Sequence, residues 1–211
     1  GLELFESMPD SPERDLGELT ARMLRAFSIS SVQGYAAPEV VTDHRRAEIL
    51  TERLGTRPEV LPSLIAIWAY WFTAGDLATA RTLVDRLAAM ARLDAYAWFQ
   101  PEVESCQGFQ ALYEGDLHSA QEHLETSMAG FRARPPDELV SVFWPLPNDP
   151  VAVGAVALAT VGAVRGDPDR VATWESEAVR RAEEIGFPRG PFSLAFVKTY
   201  SAWNRRFLGD W

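Results

Sequence analysis

The sequence predicts an all-α fold, a solenoid of about five antiparallel helical hairpins. The dipeptide Gly-Asp recurs at positions 75, 115, 166 and 209, which are 40, 51 and 43 residues apart. Each copy follows an apolar run, and the first three precede a segment whose apolar residues recur with the helical period. Glycine adopts the left-handed backbone that ends a helix, and aspartate caps the start of the next helix. Arrays of such repeats bind partners more often than they catalyse reactions.

The first hairpin precedes the first Gly-Asp pair. Ser11-Pro12-Glu13 predicts a helix start, because serine caps the free N–H groups and proline suits the first turn. This helix is expected to run to about Phe27. Pro38 predicts the start of a second helix, which Gly55 ends.

Three further hairpins pair an inner helix that is apolar on most sides with an outer helix that has one apolar stripe. The inner helices are predicted over 61–74, 98–113 and 151–164. The outer helices are predicted over 77–91, 117–131 and 168–185, and a last helix over 192–208. Gly108 lies where two helices should approach closely. On the last outer helix, Glu177 and Arg181 are expected to form an exposed ion pair.

An irregular insertion at about 132–149 interrupts this pattern and accounts for the longest spacing. It contains several prolines and one apolar run, Val140 to Leu146. A loop of about twenty residues inside a compact domain is usually functional or covers other residues. Phe143 and Trp144 on this loop are expected to act as either a plug or a lid.

Composition and charge narrow the classes of function. The 211 residues fit a single domain and carry a formal net charge of −10, which repels phosphate backbones and opposes direct contact with nucleic acid. No apolar run reaches the length of a membrane span. The lone Cys106 suits a reducing cytoplasm, the expected location. The chain starts with glycine and ends where a new helix should begin, so we expect a fragment of a larger protein.

The three hairpins that contain Gly75, Gly115 and Gly166 resemble tetratricopeptide repeats. That family has a small residue midway along the first helix, a Gly-Asp or similar turn, and alanine about five residues later. Gly108, Gly115-Asp116 and Ala120 match this pattern. The spacings here exceed the family's period of 34 residues, and Trp68 replaces the small residue in the earlier hairpin, which implies a divergent variant.

Almost the whole chain is also similar to the helical C-terminal region of large bacterial signalling proteins. These join a STAND-type ATPase to an adenylate or guanylate cyclase domain or to a LuxR-type DNA-binding domain. The resemblance depends on the order of five short phrases: Ser11-Pro12-Glu13-Arg14, Gly34-Tyr35-Ala36-Ala37-Pro38-Glu39-Val40, Glu52-Arg53-Leu54-Gly55, Asn148-Asp149-Pro150 and Phe192-Ser193-Leu194-Ala195.

This resemblance implies a regulatory interaction arm of a transcriptional regulator or cyclase-linked protein, whose ATPase and output domains lie elsewhere in the polypeptide. The sequence contains no phosphate-binding loop of the form G-x-x-x-x-G-K-[ST]. We therefore expect no enzyme activity, no catalytic residue, no cofactor and no metal in this chain.

The polar candidates have simple structural interpretations. His118 and His123 are five residues apart on one helix, which does not match a metal pair at i, i+4. His44, beside Asp43, is expected to be a solvated helix residue. Cys106 is expected to be a buried structural thiol.

The inner faces of the helices are the candidate partner-binding surface. In tetratricopeptide arrays the first helices of successive hairpins line a groove, and counting back from each turn selects an apolar, aromatic set. This set, with the two loop residues, is Ile65, Phe72, Phe109, Tyr113, Phe143, Trp144, Phe196, Trp203, Arg206 and Phe207. Two interpretations stay open: the set lines an open groove, or it forms core that closes the groove.

The expected partner is a protein, or other domains of the parent chain, and a homodimer stays open. An amphipathic helix or a small apolar molecule would suit an open groove. The alternative function is therefore an effector sensor whose pocket is enclosed by the inner helices and the 132–149 loop.

Overall fold

A computed structural model of the protein describes residues 2–34, 36–134 and 144–209. This part of the chain is helical and contains no β-strand, which confirms the predicted all-α class. Its elements, in chain order, are α1 (Glu3–Glu6), α2 (Pro12–Gln33), α3 (Pro38–Leu54), α4 (Val60–Ala74), α5 (Leu77–Ala91), a 3-10 helix (Asp94–Phe99), α6 (Gln100–Glu114), α7 (Leu117–Arg132), α8 (Pro150–Val164), α9 (Pro168–Ile185) and α10 (Arg189–Leu208).

The chain divides into two compact units, Gly1–Met90 and Ala91–Trp211. In the first unit, α3 packs against both α2 and α4. In the second, α8 packs against α6, α7, α9 and α10.

The Gly-Asp pairs form the predicted turns. Gly75 and Gly115 have φ values of 84° and 86°, in the left-handed region that suits glycine. After each of the first three glycines, the aspartate N–H donates to the carbonyl five residues earlier, at 3.0, 3.0 and 2.9 Å. Each of these aspartate side chains then accepts the N–H of the residue three positions on, at 3.0 Å. One turn chemistry therefore ends one helix and caps the next at all three places.

Buried ion pairs join α2 to α3 in the first unit. Glu18 accepts from Arg46 at 2.9 and 2.7 Å, and from Arg22 at 2.7 Å. Arg22 also donates to the buried Asp43 at 2.9 Å, and Arg25 donates to it at 2.6 and 2.5 Å. The hydrogen bond from Arg46 is the main reason that the pKa of Glu18 falls to about 2. Both carboxylates are paired, so they fix how α3 lies on α2.

His44 is buried, so the expectation of a solvated helix residue was wrong, and the adjacent Asp43 is buried as well. The arginines that bury Asp43 lie on α2, about twenty residues away in sequence, and helix periodicity alone does not reveal them. The His44 ring stacks on Tyr70, with ring centroids 4.1 Å apart. Burial lowers the pKa of His44 to about 4.

Small residues make α8 the innermost helix of the second unit. Every residue from Pro150 to Ala163 is buried, and most are alanine, glycine or valine. A helix this narrow allows its neighbours on several sides to approach closely. Gly108 on α6 likewise allows a close approach between helices, because a Cβ added there would lie 2.6 Å from the Leu124 Cγ atom of α7. The predicted close approach at Gly108 is therefore confirmed.

Several helix boundaries differ from the predicted ones. The first long helix runs on to Gln33, six residues past Phe27, and a short helix precedes it. A separate 3-10 helix occupies residues 94–99, so the following helix starts at Gln100. The last helix starts at Arg189, three residues before the predicted start. These ends are set by packing partners distant in sequence, which local patterns do not reveal.

Candidate functional site

Aromatic side chains form a stripe along α10. Phe196, Tyr200, Trp203 and Phe207 are spaced by four, three and four residues, which places them on one side of a helix. The Phe196 and Tyr200 rings stack with centroids 4.5 Å apart, and Trp203 lies 5.0 Å from Tyr200. Trp203 is 47% exposed and Phe207 is 61% exposed. The stripe therefore runs from partly buried rings to rings open to solvent.

Tyr113 extends this stripe from α6. Its ring is 44% exposed, and its hydroxyl oxygen lies 2.6 Å from that of Tyr200. Burial, and then the neighbouring Tyr113, raise the pKa of Tyr200 well above its usual range. One of the two hydroxyls donates to the other. We call Tyr113, Phe196, Tyr200, Trp203 and Phe207 the aromatic face.

A buried ion pair holds the start of α10 against α8 and α9. Asp149 caps α8 and accepts from Arg181 of α9, Nε to Oδ1 at 3.1 Å and Nη2 to Oδ2 at 3.0 Å. The Asp149 backbone N–H donates to the Ser193 Oγ atom of α10 at 2.8 Å. The predicted exposed pair of Arg181 with Glu177 was therefore wrong, since Arg181 is buried. Its true partner is 32 residues away in sequence.

Trp144 is buried beside the start of α10. Its indole N–H donates to the Asn148 Oδ1 atom at 3.2 Å, and its carbonyl oxygen accepts from the Arg189 guanidinium at 3.1 Å. These contacts fix the end of the insertion to the second unit. Phe143, the other predicted loop residue, lies outside the described residues.

The remaining predicted residues are spread over the two units. Ile65 and Phe72 lie on α4 in the first unit, where Ile65 is fully buried and Phe72 is partly buried. Phe109 on α6 is buried in the second unit. Arg206 follows Trp203 by three residues, lies at the edge of the aromatic stripe and lines a groove against α9. Phe196, Trp203 and Phe207 thus share one stripe of α10, and Tyr113 lies beside it on α6. Arg206 is not part of this stripe.

The groove between α9 and α10 is open to solvent and has a volume of about 880 Å³. We call it the α9–α10 groove. Its lining residues are Glu175, Ser176, Val179, Arg180, Glu183, Lys198, Ser201, Ala202, Arg205 and Arg206. All the charged residues that α10 contributes are basic, although the whole chain has 30 acidic and 20 basic side chains.

Several residues of these surfaces were not predicted, among them Tyr200, Lys198 and Arg205. Tyr200 could have been found, because it is four residues after Phe196 and three before Trp203 on the same predicted helix. Lys198 is the one lysine in the sequence, and Arg205 directly precedes Arg206, which was predicted. Neither position in the sequence indicates which residues of α9 lie next to it. Those neighbours depend on how α9 and α10 pack.

The titratable groups of this unit support a structural interpretation. Cys106 is fully buried, and burial raises the pKa of its thiol well above the usual value, which confirms the expected structural thiol. His123 hydrogen bonds through Nδ1 to the Glu104 carboxylate at 2.6 Å. Across the described ranges, no three His, Cys, Asp or Glu side chains come together as metal ligands. No helix in those ranges is long and apolar enough to cross a membrane.

Comparison with known proteins adds no family assignment. No protein-family model matches the chain, and no curated protein matches it significantly.

Proposed function

We propose that this chain is a tetratricopeptide-like helical array that serves as the regulatory protein-interaction arm of a multidomain bacterial signalling protein. The observation that carries the proposal is the aromatic face, where Trp203 and Phe207 expose about half of their side chains or more on one stripe of α10. Large aromatic side chains are enriched at the centres of protein interfaces, and a contiguous exposed apolar patch marks an interaction site.

The repeated construction of the second unit supports the tetratricopeptide-like part of the proposal. The same Gly-Asp turn joins α6 to α7 and α8 to α9. Each hairpin packs internally, and α8 also packs against both helices of the preceding hairpin. An array built this way presents successive first helices on one side, where a partner can contact several at once.

Regulation would follow from binding energy. A partner that binds the aromatic face in one form of the parent protein, and not in the other, shifts the equilibrium between an inhibited and an active form. The size of this shift is limited by the difference in affinity for the two forms. The catalytic and output domains that the resemblance implies are not needed for the binding step itself.

Affinity capture with the intact 211-residue chain tests the proposal. The double substitution Trp203→Ala with Phe207→Ala should abolish recovery of a partner that the unmodified chain recovers. Leu24→Ala is the matched control, because Leu24 is a large apolar residue of the first unit with 64% exposure. Equal recovery by the unmodified chain and the double variant would contradict a role for the aromatic face.

The alternative, a sensor of small apolar effectors, predicts a different dependence. Its pocket would use the insertion, so Trp144→Ala would weaken ligand binding while Trp203→Ala with Phe207→Ala would not. Trp144 is already buried and hydrogen bonded to Asn148, which favours a structural role for this side chain. We therefore retain the interaction arm as the proposed function.

A further inference from the structure

We draw no further inference here: the strongest candidate, the surface patch of exposed apolar side chains in the last turns of α6, α8 and α10 (Tyr113, Val164 and Phe207), shares two residues with the aromatic face already described, and nothing in the structure shows what covers the rest of it.

Discussion

The hydroxyl oxygens of Tyr113 on α6 and Tyr200 on α10 lie 2.6 Å apart, although 87 residues separate them in sequence. Both helices pack against α8, which lies between them in chain order. The contact exists because α8 is built from small residues and is buried along almost its whole length. The Tyr113–Tyr200 hydrogen bond therefore depends on the close packing of α6 and α10 around α8.

A double-mutant cycle on Tyr113→Phe and Tyr200→Phe should reveal this contact. Tyr113→Phe removes the partner of the buried Tyr200 hydroxyl and should lower the free energy of unfolding by about 1–2 kcal/mol, whereas Tyr200→Phe affects the half-exposed Tyr113 and should cost less. The double variant should cost less than the sum of the two single variants, with a coupling of about 1 kcal/mol. Urea denaturation measures all four proteins, and strictly additive costs would exclude the hydrogen bond.

Arg181→Met should be among the most destabilising single changes in the second unit. It leaves Asp149 buried without its ion-pair partner, a situation that costs about 3–5 kcal/mol. The adjacent Arg180→Met is a matched control, because Arg180 is half exposed and its ion pairs contribute no more than about 1 kcal/mol. Thermal or urea unfolding of the two variants gives the comparison. Similar stabilities for both would show that the Asp149–Arg181 pair is not needed.

Gly108→Ala should destabilise the α6–α7 hairpin although alanine favours helix formation. The new Cβ atom would lie 2.6 Å from Leu124 Cγ and 3.1 Å from the Leu124 backbone nitrogen, so the helices must separate. Overpacking of this kind costs about 1–3 kcal/mol. Leu124→Ala costs about 2–5 kcal/mol by itself, because Leu124 is fully buried. It also removes the Cγ contact with the new Cβ atom, so the double variant Gly108→Ala, Leu124→Ala should cost less than the sum of the two single variants. A stability gain in Gly108→Ala, measured by denaturation, would contradict the close approach.

His44 should make the first unit less stable as the pH falls from about 7 to about 4. Burial lowers its pKa in the folded state to about 4, below the ordinary value of about 6.5, so in this range the unfolded chain binds a proton that the folded chain does not. The loss should reach no more than about 3 kcal/mol at the lower end. Below that pH, protonation of Glu18, whose folded pKa is about 2, adds a further loss.

His44→Phe provides the measurement for this effect. Phenylalanine keeps a ring against Tyr70 but cannot bind a proton, so the unfolding free energy of the variant should vary much less between about pH 6.5 and about pH 4. His118→Gln is the matched control, because it removes an imidazole that is exposed on α7. An identical slope in the His44→Phe variant and the unmodified chain would show that another group is responsible.

The helical class and the turns could be predicted because their chemistry is local. Gly115 and Asp116 carry the end of one helix and the cap of the next within two residues, and the apolar period on either side extends over several turns. The ends of helices were less predictable. α2 continues past Phe27 to Gln33 through a serine-rich segment, although local propensity does not favour a helix there.

Buried charge was the main feature that the sequence did not reveal. Asp43 and Arg181 lie on helices with abundant charge, and periodicity alone treats such residues as solvent-facing. Each is buried because a partner from another helix neutralises it, Arg25 for Asp43 and Asp149 for Arg181. The partners are 18 and 32 residues away, so only the packing of the helices identifies them.

The candidate site likewise has features that local spacing predicts and features that depend on how the helices pack. Phe196, Trp203 and Phe207 share one stripe because their spacing within one helix is local information. Arg206 was grouped with them, but a single helical step of about 100° from Phe207 turns it toward α9. The role of Ala202 and Lys198 in the α9–α10 groove depends on the position of α9, which no spacing within α10 can supply.

Site-specific photo-crosslinking tests the central claim, that the aromatic face is the partner-binding surface, most directly. A photo-reactive phenylalanine analogue is placed at position 203 of the intact chain, and at position 24 of the first unit as the control. Illumination in the presence of the captured partner should form a covalent adduct from position 203 and none from position 24. Adducts from position 24 alone, or the same yield from both positions, would contradict the claim.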